Sequence, residues 1–239
     1  GVHVRILVDG MESWIDMEGN PYFYGLSSHE NVEIKLYNKA NPLKPWKTMG
    51  RMHDKYLIAD GKIYILGGRN TYNYFLGDFP GHKNFDRDVL VVCDEPQKDN
   101  SVNQLWNYFE TIWEQEDCRY FHNSKKLADR QSVKKAVLEL QEGYQQYFVV
   151  NKEKICDTDY ADETFETEKI TLLSNPIHTG AKEPVVWYQL GELMKNAKER
   201  VKIHTPYIIC NDMMYNTWEE IAQKVPDFSI MTNSVANNG

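Results

Sequence analysis

The chain has 239 residues, of which 41% are hydrophobic and 26% charged, and its formal net charge is −8. This describes an ordinary globular protein with room for one large α/β domain or two smaller ones, and it excludes a fibrous or low-complexity chain. The acidic balance weighs against non-specific nucleic-acid binding, which relies on Lys and Arg to neutralise phosphates.

Taken in chain order, residues 1–10 read as a strand that starts at the first residue, and residues 32–37 read as a second. A loop over 38–50 carries Pro42 and Pro45. Two β-prone runs at 56–59 and 62–66 then flank Asp60-Gly61, a strong two-residue hairpin signal. Residues 88–92 read as a buried strand. A helix from about residue 101 places Leu105, Trp106, Phe109, Ile112 and Trp113 on one face. A second helix over about 132–148 carries the stripe Val133, Val137, Leu140, Tyr144 and Phe148.

Residues 151–169 change character. The run Asp157-Thr158-Asp159-Tyr160-Ala161-Asp162-Glu163 is acidic and has no hydrophobic period. It lacks the glycine and the closing glutamate of a Ca²⁺ loop, so it reads as a solvated linker. After a loop at 173–178, a helix is expected over 185–200, an alternating strand over 201–205, a helix over 213–224 and a strand over 228–233. His204 falls on the side of Lys202, opposite Val201 and Ile203, and reads as a structural or surface residue. The strand at 228–233 repeats the pattern of residues 4–9. The resulting expectation is a two-lobed protein of which this chain is a piece: a first lobe over 1–150 whose start is missing, a linker over 151–183, and the beginning of a second lobe over 184–239.

The four cysteines, Cys93, Cys118, Cys156 and Cys210, are far apart and form no C-x-x-C pair. That spacing argues against a zinc site or a disulfide framework and fits free thiols. No run of about eighteen apolar residues is available to span a bilayer, and no secretory signal pattern is present.

Chemistry concentrates in Arg51-Met52-His53-Asp54-Lys55 and in Gly67-Gly68-Arg69-Asn70, at the two ends of the expected hairpin. In an extended segment residues two apart share a face, so His53 and Lys55 project together and Asp54 projects the other way. Asp60 suits the turn and reads as structural, not as a general base. Gly67 and Gly68 permit a close backbone approach or a positive φ, and Gly68 is a candidate for binding phosphate through its backbone. Asn70 can donate its amide hydrogens to a phosphate oxygen, Lys55 supplies a point charge, and His53 is the group able to act as nucleophile or acid–base near neutral pH. Each residue alone fits an ordinary hairpin; together they form a set suited to holding and attacking a phosphodiester.

The spacing H-x-K-x4-D-x6-G-G-x-N resembles the signature of the phospholipase D superfamily. The wording Arg-Met-His-Asp-Lys, Ile-Leu-Gly-Gly-Arg-Asn and Met-Thr-Asn-Ser-Val-Ala is similar to that of bacterial cardiolipin synthases of this type. The likeness covers 1–11, 31–50, 51–70, 86–89 and 198–238.

The resemblance implies an α/β fold with a mixed sheet in each lobe and helices on both faces. It implies that His53 forms a phosphohistidine or protonates the leaving group, and that Lys55 and Asn70 hold the phosphate. It implies that Asp88, with Asp86 as its rival, is the carboxylate that orients a catalytic histidine. The family carries two such motifs. Only one is present here, so a second lobe is required and this chain alone should be nearly inactive. The implied activity is phosphatidyl transfer to phosphatidylglycerol or a similar alcohol at the cytoplasmic face of a membrane or in association with one, with contact to the bilayer through other parts of the protein. No metal and no organic cofactor is implied. Hydrolysis by the same site, of phospholipid or of nucleic acid, is the alternative, with nucleic acid not the first choice.

Overall fold

A computed structural model describes residues 1–73, 75–76, 80–81, 83–93 and 99–234. The end of the last similar stretch, residues 235–238, lies outside them. The chain divides into two compact units, one comprising Gly1–Leu172 with Ile177–Ala181, the other Leu173–Pro176 with Lys182–Gly239. The architecture is mixed α/β.

The first unit opens with β1 (Val4–Asp9), which pairs in parallel with β2 (Val32–Tyr37), and β2 pairs antiparallel with β6 (Cys118–Tyr120). Strand β1 begins three residues later than its apolar run suggested, where Val4 comes into register with Val32. Between β1 and β2 lie two short helices that the sequence reading passed over, α1 (Gly10–Asp16) and α2 (Pro21–Ser27). Each has a defined start. Asp9 caps α1 by accepting from the Met11 and Glu12 amides, and Asn20 caps α2 with Pro21 just inside it.

The faces of β1 and β2 alternate cleanly. Ile6, Val8, Ile34 and Leu36 turn toward α2 and toward the start of α4 (Gln131–Lys152), closing a core with Tyr24, Phe121 and Val133. On the other face Leu7 and Tyr37 meet Ile112 of α3 (Ser101–Trp113). There Arg5 lies over the rings of Trp106, Phe109 and Trp113 and is paired with Glu110. Buried Lys35 sits 4.7 Å from the Trp113 ring centroid and donates to the Trp113 carbonyl at 2.8 Å. A cation above an aromatic face is stabilised by the ring quadrupole, which makes this burial affordable. This sheet therefore has helices on both faces.

The second sheet is an antiparallel meander, β3 (Tyr56–Ala59), β4 (Ile63–Gly67) and β5 (Asp88–Val92). Tyr56, Ile58, Tyr64, Leu66 and Val91 pack on Val102 and Leu105 of α3. Helix α3 thus serves both sheets of the unit. The opposite face carries Leu57 (60% exposed), Ile63 and Ile65. Strand β5 is half exposed, with Val89 at the surface, so the buried reading of 88–92 holds for Val91 alone among its fully buried positions. Helix α4 runs past the expected end at 148. Val133 and Val137 stay on the core, but beyond them the stripe leaves it, and Leu140 and Tyr144 are exposed.

In the second unit α5 (Val185–Lys195) is capped by Asn196, five residues short of the expected end, because the chain turns into β7 (Arg200–His204). Strand β7 pairs in parallel with β8 (Asp227–Met231) across α6 (Asp212–Lys224). Val201, Ile221 and Val225 form its core, with Trp218 and Phe228 against them. His204 and Lys202 lie on the exposed side of β7. All four cysteines are free thiols: Cys118 is buried, Cys93 half-buried, and Cys156 and Cys210 exposed. No helix among the described residues is long and apolar enough to cross a membrane.

Candidate functional site

The site is built on the hairpin. Asp60 and Gly61 both take positive φ, 52° and 66°, the geometry of the tight turn that matches strand twist, and the Lys62 amide closes the turn on the Ala59 carbonyl. The register Tyr56↔Leu66 extends one step further, since the Gly67 amide donates to the Lys55 carbonyl at 3.1 Å. His53, Asp54 and Lys55 therefore lie just before β3, at the end of the ladder where Gly67, Gly68, Arg69 and Asn70 leave β4. The ladder brings the two motif halves to one end of one sheet.

Asp54 turns to α3, where it accepts from the Tyr108 hydroxyl at 2.6 Å. Burial first, and then this bond to Asp54, push the Tyr108 hydroxyl up and keep it protonated. Lys55 folds its ammonium onto the His53 carbonyl at 2.7 Å. Burial lowers the Lys55 ammonium, opposed by Asp54 and Asp86. His53 is exposed to solvent, yet partial burial and then the Lys55 charge lower its imidazole below the ordinary value of 6.5. A neutral imidazole with a free lone pair is the form that attacks phosphorus.

The two glycines are required by close approach and not by φ. A Cβ on Gly67 would lie 1.8 Å from Asp88 Oδ1, and one on Gly68 would lie 2.7 Å from Asp86 Oδ2. The Gly67 amide is also taken by Lys55. The turn is thus lined by two carboxylates, and the Gly67 amide is not available to a ligand. Asn70 follows β4 and is half-buried.

Asp88 pairs opposite Gly67 on the sheet, on the face of Lys55. Asp88, expected to orient a histidine, is held by Arg69, Nε to Oδ2 at 2.7 Å, with 23% of its side chain exposed. Asp88 sits beside the arginine between Gly68 and Asn70, and the bond is charge-assisted. Arg69 also donates to the carbonyls of Phe75 at 2.8 Å and Asp86 at 3.0 Å. It ties two pieces of chain to the motif, at Phe75 and at Asp86–Asp88. Asp86 itself accepts from the Arg87 amide.

A second anchor lies at the motif entry. The Asp9 carboxylate accepts from Arg51 Nε at 2.9 Å and from the Met52 amide at 2.9 Å while it caps α1. Burial pushes the Asp9 carboxyl up, but the Arg51 guanidinium and the amides of Met52, Glu12 and Met11 outweigh this and hold it below the ordinary carboxylate value. Sequence reasoning missed both Arg69 and Asp9. The available signals were an arginine inside the glycine-asparagine element with two aspartates downstream, and an acid closing a strand before a helix.

No group of His, Cys, Asp and Glu among the described residues is arranged to hold a metal ion. The residues present are suited to attack at phosphorus by an imidazole, beside a cation and an amide.

Comparison with known proteins agrees with this geometry. Over its whole length (99%) the chain is similar to two uncharacterized proteins of Helicobacter pylori, from strains 26695 and J99, at 25% identity in each case. It spans about half (49%) of the length of each of these relatives. No solved structure matches. Residues 1–113 match the family model described as "Cardiolipin synthase, PLD-like domain". The half of the chain that contains the hairpin and its anchors is thereby related to the phospholipase D superfamily.

Proposed function

We propose that this chain supplies one half of the active site of a phosphatidyltransferase that makes cardiolipin or a related phospholipid. The observation that carries the reading is the convergence of His53, Lys55 and Asn70 at one end of the hairpin, within the segment that matches the family model.

The reaction is a double displacement. A neutral imidazole nitrogen of His53 attacks the phosphorus of a phospholipid; the N–P bond forms, the P–O bond to the departing alcohol breaks, and a second imidazole gives that alkoxide a proton. The acceptor hydroxyl then attacks phosphorus, the N–P bond breaks, and the hydroxyl proton passes to the second imidazole. Lys55 and Asn70 balance the charge on the phosphoryl oxygens. Asp88 enters as a positioning residue through Arg69. Two imidazoles are needed because attack and leaving-group protonation occur on opposite sides of phosphorus, so a second motif in another part of the protein completes the site. The donor and acceptor are phosphatidylglycerol or a similar lipid, met at the membrane surface.

The test is direct trapping of the intermediate on the full-length protein. Mass spectrometry after rapid acid-free quenching with labelled phosphatidylglycerol should find the phosphoryl group on a histidine. The variant His53→Ala should lose turnover by several orders of magnitude, as removal of a nucleophile does. Retention of more than a few per cent of turnover by His53→Ala would remove His53 from the chemistry.

A further inference from the structure

Beside the motif, the loop that follows β2 encloses a cleft of ≈150 Å³ that the chemistry above does not use. Its walls bring together five cations, Lys39, Lys44, Lys47, Arg51 and Arg119, against two carboxylates, Glu116 and Asp117. In a chain of net charge −8 this is a local reversal of sign.

Part of that charge is answered within the protein. Lys47 pairs with Asp117 at 2.9 Å, and Arg51 pairs with Asp9 and Glu12. Asn38 pins the loop by donating to the carbonyls of Lys47 at 2.7 Å and Gly50 at 2.8 Å. The side chains of Lys44 and Arg119 are exposed and make no hydrogen bond or ion pair among the described residues. Cations gathered in one cleft repel one another unless an anion joins them. A lysine gives phosphate a point charge and an arginine gives it a two-pronged donor.

Position completes the argument. Arg51 lines the cleft and stands two residues before His53, and its pairing with Asp9 fixes the entry to the motif. An anion in the cleft therefore lies alongside the motif on the same rigid support, while the motif's own phosphate position, at Lys55 and Asn70, stays free.

We propose that this cleft is a second anion subsite, which holds the phosphate of a glycerophosphate-type headgroup while another phosphate is processed at His53. The assignment rests on the proposed function for its ligand: transfer between two anionic lipids requires two phosphate positions, whereas hydrolysis of one lipid requires one.

The experiment titrates this chain with sn-glycerol 3-phosphate and with inorganic phosphate, followed by backbone amide NMR. In parallel, co-sedimentation is measured with vesicles of phosphatidylcholine alone and with phosphatidylglycerol added. Glycerol 3-phosphate should shift amides of residues 38–51 and 116–119. The double variant Lys44→Gln with Arg119→Gln should bind at least tenfold more weakly, while His53→Ala binds as the natural chain does. Both substituted side chains are exposed and unpaired, and an unchanged amide spectrum elsewhere checks the fold. Co-sedimentation that needs phosphatidylglycerol and is lost in the double variant identifies the ligand as a lipid headgroup. Binding of the soluble phosphates with no vesicle association overturns the lipid assignment and leaves a small phosphate ester as the ligand. Shifts confined to 53–70, or equal affinity in the double variant, overturn the subsite. These readouts do not depend on phosphohistidine, so loss of the subsite and loss of the catalytic reading are separate results.

Discussion

The two three-stranded sheets of the first unit share one helix and divide the labour. In the sheet β1–β2–β6 the central strand is closed off on both faces, and Ile34, Leu36 and Tyr37 are at most 2% exposed. In β3–β4–β5 only the face toward α3 is buried, and the residues of the motif sit at the open end of the ladder. The first sheet spends its side chains on packing. The second spends its on holding charged and reactive groups near solvent. Two ion pairs join these roles: Arg51 to Asp9 couples the motif to the first sheet, and Arg69 to Asp88 couples it to the far strand of its own. Stability and chemistry should therefore respond separately to substitution.

The sharpest test of that separation on the packing side is Leu36→Ala, which empties a side chain 2% exposed in the first core. It should cost about 2–5 kcal/mol of unfolding free energy, read from denaturant curves, while the motif keeps its geometry. If Leu36→Ala is nearly neutral, the first sheet is not the structural partner.

Gly67→Ala tests the opposite side. The new methyl would meet Asp88 Oδ1 at 1.8 Å, so Asp88 must move and its hold on Arg69 must loosen. Overpacking of this kind costs about 1–3 kcal/mol, and full-length enzyme carrying it should lose more turnover than stability. A variant with normal activity would show that the Arg69 clamp is dispensable.

The junction between the sheets can be broken with acid. Asp9 titrates below its ordinary value of 3.8 when folded, so it contributes stability above that value. This contribution declines as pH falls below 3.8 and through the lowered folded value. Thermal melts of the natural chain and of Asp9→Asn should differ most near neutral pH and converge in that acid window. A difference independent of pH would mean that Asp9 acts by shape alone.

The smallest effect is expected at Tyr37, whose buried hydroxyl has no hydrogen-bond partner among the described residues and is pushed by burial up to about 12. Tyr37→Phe removes an unsatisfied polar group and should change stability by no more than about 1 kcal/mol, in the stabilising direction. A clear loss of stability would reveal a partner for that hydroxyl.

Much of the second sheet was legible in sequence because it is local. Asp60-Gly61 with alternating flanks dictates the hairpin, and its ladder brings the segment of His53 and Lys55 to the end from which Asn70 leaves β4. Strand β2 was legible for the same reason. What escaped depends on distant partners. Strand β6 is three residues long and exists because Tyr37, Leu36 and Lys35 offer it a ladder. Helices α1 and α2 have seven residues each, too brief for a period to emerge, and only their caps announce them. The far half of α4 kept a helical stripe that the core does not take up. In the site, the partner of Asp88 could not be read because Arg69 lies 19 residues away and wins the carboxylate by geometry.

The free cysteines have a practical consequence for watching this protein move. Cys118 is buried and its thiol is pushed up to about 11, and half-buried Cys93 accepts from Asn100. Such thiols react slowly, because the thiolate is the nucleophile. Cys156 and Cys210 are exposed, and they fall in different units of the chain. A donor and an acceptor dye placed on these two natural thiols would report by energy transfer on the separation of the units, and on whether it changes when a headgroup arrives, in a protein whose sequence has not been altered.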